Sequence, residues 1–171
     1  WIATGGHVES TVKIAQAGLP IVYAIIGGNP RYFKKLIQAY REIGSEAGYD
    51  SHELKVGAHS WGWIAEDGEQ AVKDYFHPTK QVVDAISKDR PHWQELRYEQ
   101  YLEQVGPNGA MFVGNPDQVA EKLIRMIEDL SLDRFMLHLP LGSMPHEQVL
   151  RAIELFGTQV APKVRAYFAM K

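Results

Sequence analysis

Two kinds of apolar segment alternate along the chain: short continuous runs, and longer stretches in which apolar residues recur every three or four positions. The continuous runs are typical of parallel strands that are covered on both faces. The helical spacing in the other segments indicates amphipathic helices. We therefore predict strands at residues 1–4, 19–26, 54–65 and 134–139, each followed by a helix.

The predicted helices cover residues 8–17 and 30–47, and three more begin near residues 69, 116 and 145, the last bent or broken at Pro162. Asn29 and Asn115 each precede a proline, which is the pattern of an N-cap followed by proline in the first helical turn. Asp117, two residues after Asn115, is interpreted first as a further capping residue, and contact with a ligand is the less favoured alternative for both Asn115 and Asp117.

Residues 77–112 interrupt this regularity within what we predict to be a single domain, residues 1–171. Excursions of this length in a compact domain are often functional. We expect an insertion that forms a lid-like segment or a subunit contact. Its candidate surface residues are His92, Trp93, Tyr98 and Tyr101.

Four βα units in series predict an α/β fold, either an open doubly wound sheet or part of a (β/α)8 barrel. A whole barrel has about 250 residues, so the 171 residues here correspond to roughly half of one plus an insertion. Because the chain starts inside a predicted strand, we expect a segment to precede it. A half-barrel leaves strand edges that need a partner.

Composition narrows the function only slightly. The net charge of −3 gives no reason to expect binding to nucleic acid or to an acidic membrane surface. The chain has no cysteine, no signal-like N-terminus and no apolar run long enough to span a bilayer, which fits a cytoplasmic protein. No histidine and carboxylate share a metal-binding spacing, so no metal site is predicted.

Several motifs, in order, resemble one family. Residues 1–10, Trp-Ile-Ala-Thr-Gly-Gly-His-Val-Glu-Ser, are followed by Ala-Gly-Leu-Pro-Ile and Ile-Ile-Gly-Gly-Asn-Pro, and later by Phe-Val-Gly-Asn-Pro-Asp-Gln-Val-Ala-Glu-Lys. They are similar to the luciferase-like, flavin-dependent monooxygenases. The resemblance implies the C-terminal half of a (β/α)8 TIM barrel, strands five to eight.

The resemblance also implies a cofactor and where it binds. In this family, reduced FMN and O2 oxidise a small organic substrate, and some members use the deazaflavin F420 instead. The flavin phosphate is held after the fifth strand, a role that falls here on Gly5, Gly6, His7, Glu9 and Ser10. Glycines and a free helix N-terminus suit an anion. The Glu9 carboxylate would repel phosphate, so we expect its side chain to turn to the ribityl hydroxyls of the flavin or to cap the helix locally. A tight turn without a ligand is the alternative interpretation of Gly5-Gly6.

No catalytic residue is identified, because the acid–base groups expected beside the flavin belong mostly to the half-barrel without a counterpart here. Some residues on or after the later strands are candidates to line the pocket. They are His59, Trp61, Trp63, His138, Pro140 and Gly142. Core packing is the favoured interpretation for the two tryptophans, a hydrogen-bonded core position is an equal alternative for the histidine of the third predicted strand, and the last three residues lie on the rim where barrel active sites are found.

The family resemblance implies a separate reductase that supplies reduced flavin, and a homodimer. A non-catalytic, flavin-binding half-barrel that dimerises is the alternative function. An open-sheet nucleotide-binding domain is disfavoured because the sequence contains no Gly-x-Gly-x-x-Gly.

Overall fold

A computed structural model describes residues 1–90 and 93–171 and shows an α/β fold built on a five-stranded parallel sheet. The strands are β1 (Ile2–Thr4), β2 (Ile21–Ala24), β3 (Val56–Ile64), β4 (Phe112–Gly114) and β5 (Arg134–His138). The helices are α1 (Val8–Gln16), α2 (Phe33–Glu46), α3 (Gly68–Asp89), α4 (Tyr98–Val105), α5 (Pro116–Leu130), α6 (His146–Leu155) and α7 (Ala161–Ala169).

The four predicted strands are confirmed with narrower bounds, and the long β3 is the centre of the sheet. It pairs with β2 along one edge; residues 57–61 pair with β5, and residues 62–64 pair with β4. β1 continues the sheet beyond β2. The short strand β4 is absent from the sequence-based prediction, because three residues are too few to produce a periodic signal.

The segment 77–112 is more regular than predicted. α3 continues through Pro78 to Asp89, and α4 follows after the loop. A proline normally disrupts a helix because it lacks an N–H. Here Pro78 is buried, the Thr79 hydroxyl donates to the Tyr75 carbonyl at 2.6 Å, and the Tyr75 ring stacks on Trp63. Tertiary packing therefore sustains the helix across the proline.

The two faces of the sheet differ. Ile21, Tyr23, Val56 and Ala58 point to one face and are completely buried beneath the helices. The opposite side, which we call the open face, carries Gly57, His59 and Trp61 of β3 together with their register partners Arg134, Met136 and His138 of β5. On β5 these last three residues are exposed. The sheet is therefore covered on one side only along β5.

At the start of the open face, the ring of Trp1 lies 3.1 Å from where a β-carbon on Gly57 would be, and the Arg134 guanidinium stacks over the Trp1 ring at 4.7 Å.

Near the C-terminus, the last predicted helix is divided by a π-helical segment, Phe156–Val160. Pro162 lies in the first turn of α7, directly after that segment. Within the described ranges, no helix is both long and apolar enough to cross a membrane.

Candidate functional site

Two glycine-containing turns lie side by side at the C-terminal ends of two neighbouring strands of the sheet. Because β1 and β2 are parallel, with Thr4 beside Tyr23, the turn at residues 5–7 and the turn at residues 27–29 leave the sheet at the same end. Each turn leads into a helix, α1 or α2. Parallel strands followed by helices place free backbone N–H groups at this end, which is where α/β proteins bind ligands.

The first turn depends on glycine. Gly6 has φ of 96°, a left-handed conformation that side chains disfavour, and its N–H donates to the Thr4 hydroxyl at 3.3 Å. A β-carbon at Gly6 would lie 2.8 Å from Cε1 of Phe33, in the first turn of α2. Gly5 has open space around the same position. The turn is thus tight on its inner side and accessible on its outer side.

The N-terminus of α1 has donors available for a ligand. The N–H groups of the first helical turn, at residues 8–10, have no acceptor within the helix. The N-cap residue His7 does not supply one either, because its side chain makes no capping hydrogen bond. The buried Thr11 anchors the turn, since its N–H and its hydroxyl both donate to the His7 carbonyl, at 3.0 and 3.1 Å. Ser10 lies in this first turn and is only half-buried.

The Glu9 carboxylate is directed along the helix, away from the turn. Its Oε1 atom accepts a hydrogen bond from Lys13 Nζ at 2.7 Å, one helical turn further on, and both side chains are exposed. The carboxylate thus pairs with Lys13 and does not cap the helix locally, while contact with ribityl hydroxyls stays a prediction. The donors at the turn are therefore backbone N–H groups and a hydroxyl, a set that suits phosphate.

His59 and His138 come together on the open face. They belong to paired strands and lie diagonally across the register, with ring centroids 5.6 Å apart. Burial lowers the pKa of His59 below its ordinary value, and the neighbouring His138 lowers that pKa further. The sequence singles out both histidines but gives no sign that they meet.

The two tryptophans of β3 have different surroundings, although both are buried. Trp63 stacks on Tyr75 with centroids 5.9 Å apart, which confirms its interpretation as a core residue. Trp61 lies 6.4 Å from Trp93 of the excursion, and both line a cavity at the end of β2 and β3. Pro140 and Gly142 are exposed beyond β5.

Only some of the predicted surface residues in the segment 77–112 are exposed. Tyr101 is completely buried and its hydroxyl donates to the Val72 carbonyl at 2.8 Å, so its prediction as a surface residue is wrong. The reason is that α4 packs against α3, and Tyr101 lies within that contact. Tyr98 remains partly exposed, at 41%. The prediction for His92 lies outside the described residues.

Asn115 is confirmed as a helix cap. Its side chain accepts from the Gln118 N–H at 3.0 Å, and the Gln118 side chain accepts from the Asn115 N–H at 2.8 Å, forming a capping box. Asp117 instead forms an exposed ion pair with Lys163. Asn29 caps the helical turn before α2 by accepting from the Arg31 N–H at 3.0 Å.

Lys122 is a buried charged residue that the sequence analysis missed. Its Nζ atom lies within hydrogen-bond distance of four backbone carbonyls, the closest being Gly106 and Met111 at 2.6 Å. Burial lowers the pKa of Lys122 to about 7, and the charge of Arg125 lowers it too. The available signal was a lysine on the apolar face of α5, between Val119 and Met126.

One group of possible metal ligands differs from the expectation of none. Ligand atoms of Asp50, His52 and Glu53 lie within 4.8 Å of one another in an exposed turn before β3. Glu53 already accepts from the Asp50 N–H at 3.0 Å. Exposed acidic turns of this kind are common without an ion, and this one lies away from the two glycine turns.

The chain belongs to the luciferase-like monooxygenase family, whose sequence model matches residues 1–134. Monooxygenase RslO1 from Streptomyces bottropensis has a similar structure, with a TM-score of 0.76 and 21% identity over 94% of this chain and 46% of that one. No curated protein sequence matches the chain.

Two further similar structures have TM-scores of 0.63. The coenzyme F420-dependent tetrahydromethanopterin reductase from Methanopyrus kandleri is 18% identical over 94% of this chain and 49% of that one. The oxygenating constituent of 3,6-diketocamphane monooxygenase from Pseudomonas putida, solved in complex with FMN, is 17% identical over 95% of this chain and 47% of that one. This chain thus spans about half the length of these structures.

Proposed function

We propose that this chain is the flavin-binding, C-terminal half of the TIM barrel of a monooxygenase that uses reduced FMN and O2 to oxidise a small organic substrate. The observation that carries the proposal is the uncapped N-terminus of α1 directly behind the Gly5-Gly6 turn, in a chain of the luciferase-like family. Backbone N–H groups and a hydroxyl there match the needs of a phosphate.

Each residue of this turn has a definite task in the proposal. Gly5 leaves open space for close approach of the phosphate, and Gly6 gives the backbone the positive φ that the turn requires. His7 is the N-cap residue of α1. In the proposal, the Ser10 hydroxyl in the first helical turn donates a hydrogen bond to the phosphate. Lys13 neutralises Glu9, which reduces the repulsion that this carboxylate would exert on the phosphate.

When bound, reduced flavin supplies the electrons for the activation of dioxygen, and the protein binds, orients and excludes water. The open face of the sheet is the inner wall of the barrel in this proposal, and another half-barrel covers it. The remaining acid–base groups come from that other half. A separate reductase provides the reduced flavin, and the protein works as a homodimer.

The cofactor has a specific alternative. The similar structures include enzymes whose names specify FMN and others whose names specify F420. Both cofactors carry a phosphate next to the ribityl chain, so the same turn suits either. A non-catalytic, flavin-binding half-barrel that dimerises is a second candidate, favoured by the exposed β5 residues of the open face.

Anaerobic titration of the chain with reduced FMN and, in parallel, with reduced F420 tests the proposal. We expect saturable binding of FMN that is stronger than binding of F420. Stronger binding of F420 would transfer the proposal to the deazaflavin. If a folded chain, checked by circular dichroism, binds neither cofactor, the proposal is wrong. Because the remaining acid–base groups come from the other half-barrel, substrate-dependent O2 uptake with a flavin reductase separates an enzyme from a binding module only when it is measured on a protein that contains both halves.

A further inference from the structure

A cavity of about 150 Å³ opens between three segments that are distant in sequence. They are the helical turn Pro30–Tyr32 before α2, the loop between α4 and β4, and the second half of α5. Among the described residues that line it, none belongs to the turn at residues 5–7 or to the first turn of α1. The cavity is therefore separate from the proposed site for the flavin phosphate.

The inner part of this cavity is apolar. Phe112, Met126 and Leu130 line it, and each of these side chains is more than nine-tenths buried. Phe112 is held in place by Phe135, whose ring it meets edge-on with centroids 4.9 Å apart. An apolar protein cavity of about 150 Å³ is large enough to hold a benzene molecule. The inner part therefore suits one six-membered ring and is too small for the ring system of a flavin.

The mouth of the cavity is positively charged. Arg31 and Arg125 are exposed there, and the ammonium group of Lys122 lies deeper. Among the described residues of the lining, Asp129 is the one carboxylate, so three cations face a single anion. Burial lowers the pKa of Lys122, and the charge of Arg125 lowers it further, which shows that these cations repel each other. An anion bound at the mouth would relieve this repulsion.

Both arginines have donors to spare. Arg31 binds Asp129 through Nε at 3.1 Å, and Arg125 binds Glu121 through one terminal nitrogen at 3.3 Å. Within the described ranges, the two terminal nitrogens of Arg31 and the other two nitrogens of Arg125 donate to no protein group. A guanidinium with two neighbouring free N–H groups binds a carboxylate in bidentate fashion. Lys122 already donates to backbone carbonyls and supplies charge alone.

We propose that this cavity binds a small aromatic carboxylate of the benzoate class. The ring occupies the apolar inner part, and the carboxylate lies at the mouth, between Arg31 and Arg125. A ligand of this kind links the segment behind the glycine turn at residues 27–29 to α5, which the ion pair of Arg31 with Asp129 already connects. The site is an addition to the proposed function and does not depend on flavin binding.

The test titrates the 171-residue chain, without flavin, with three probes. They are benzoate, its neutral isostere benzamide, and acetate, which has the carboxylate but no ring. Isothermal titration calorimetry gives the affinities. We expect benzoate to bind at least about tenfold more tightly than either of the others, because each comparison probe lacks one of the two groups that the cavity recognises.

Arg31→Met and Arg125→Met keep an apolar stem at the mouth and remove the guanidinium group. Each should weaken benzoate binding at least about tenfold, because a charge-assisted hydrogen bond is lost, and should change benzamide binding by less than about twofold. Lys35→Met removes an exposed positive charge from α2 at a residue outside the cavity lining. This matched control should bind benzoate as the wild type does. Circular dichroism confirms that each variant is folded.

NMR locates the bound probe. The amide signals of Gly109 and Met126, which line the cavity, should shift when benzoate is added. The indole signals of Trp61 and Trp93, which line the cavity at the end of β2 and β3, should stay in place.

The inference is wrong if benzoate binds no more tightly than benzamide or acetate, or if either arginine variant binds it as tightly as the wild type. Shifts at the two tryptophans in place of the cavity residues would also overturn it. The affinity for reduced FMN, measured with and without benzoate, should be the same. Failure to bind FMN overturns the proposed function alone, and failure to bind benzoate overturns this inference alone.

Discussion

A β-carbon on Gly6 would lie 2.8 Å from Cε1 of Phe33, so the turn after β1 is packed directly against the start of α2. The same ring meets Tyr23 of β2 edge-on, with centroids 5.5 Å apart. Tyr23 in turn shares a hydrogen bond with Thr11 at 3.2 Å. These contacts fix the position of the α1 N-terminus relative to the sheet. The candidate phosphate turn is therefore held by the core.

Gly6→Val should lower the free energy of unfolding by about 1–3 kcal/mol, because it combines a side chain at positive φ with a clash against Phe33. Gly5→Ala is the matched control: its β-carbon meets no atom within 4 Å, and we expect a change within about 0.5 kcal/mol. Urea denaturation measures both. Equal effects of the two substitutions would contradict the described turn.

Ser10→Ala should weaken binding of reduced FMN by about 1–2 kcal/mol, the cost of losing a charge-assisted hydrogen bond to phosphate. Anaerobic titration gives the affinity. Thermal unfolding should be nearly unchanged, since the residue is half-buried in an exposed helical turn. Ser51→Ala, in an exposed turn before the N-terminal end of β3, is the control. Equal FMN affinities for Ser10→Ala and the wild type would exclude a hydroxyl contact.

Lys122→Met should lower the free energy of unfolding by about 2–4 kcal/mol, because it removes the donor shared by the carbonyls that end α4. Arg125→Met is the control on the same helix. Among the described residues, Arg125 forms an ion pair with Glu121 alone, and this exposed pair is worth less than about 1 kcal/mol. Chemical denaturation near neutral pH compares the variants. Equal losses would mean that the lysine does not hold the loop.

The stability contributed by Lys122 should also depend on pH. Its pKa is lowered to about 7 in the folded chain from an ordinary 10.5, so the unfolded chain binds more protons between these values. The contribution of Lys122 to the free energy of unfolding consequently rises as the pH increases from about 7 to about 10. The stability difference between wild type and Lys122→Met should grow over that window. A difference that shrinks would contradict the lowered pKa.

Asn115→Ala should destabilise the chain by about 1 kcal/mol through loss of the capping box, and it should leave FMN affinity unchanged. Asp117→Asn is the control and should have a smaller effect, since its ion pair with Lys163 is exposed. Differential scanning calorimetry and flavin titration make the comparison. A loss of FMN affinity in Asn115→Ala would assign this residue to the binding site instead.

Much of the fold could be predicted because its signals are local. The apolar run of β2, the N-caps Asn29 and Asn115, and the glycine turn after β1 each depend on a few neighbouring residues. The course of α3 through Pro78 could not be predicted, because contacts with Trp63, distant in sequence, keep the helix intact.

The site was predictable only in part for the same reason. The residues of the glycine turn are consecutive, so one motif identifies them. His59 and His138 are 79 positions apart, and only the register of β3 with β5 brings them together. Lys122 stabilises carbonyls of a loop that carries no apolar pattern. Such contacts depend on tertiary structure, about which local spacing holds no information.

The binding of reduced FMN compared with that of reduced riboflavin, which lacks the phosphate, tests the central claim most directly. We predict that the wild-type chain binds FMN at least about tenfold more tightly, and that Gly6→Val and Ser10→Ala each reduce this preference. Equal affinities of the wild-type chain for FMN and riboflavin would contradict a phosphate site at the Gly5-Gly6 turn.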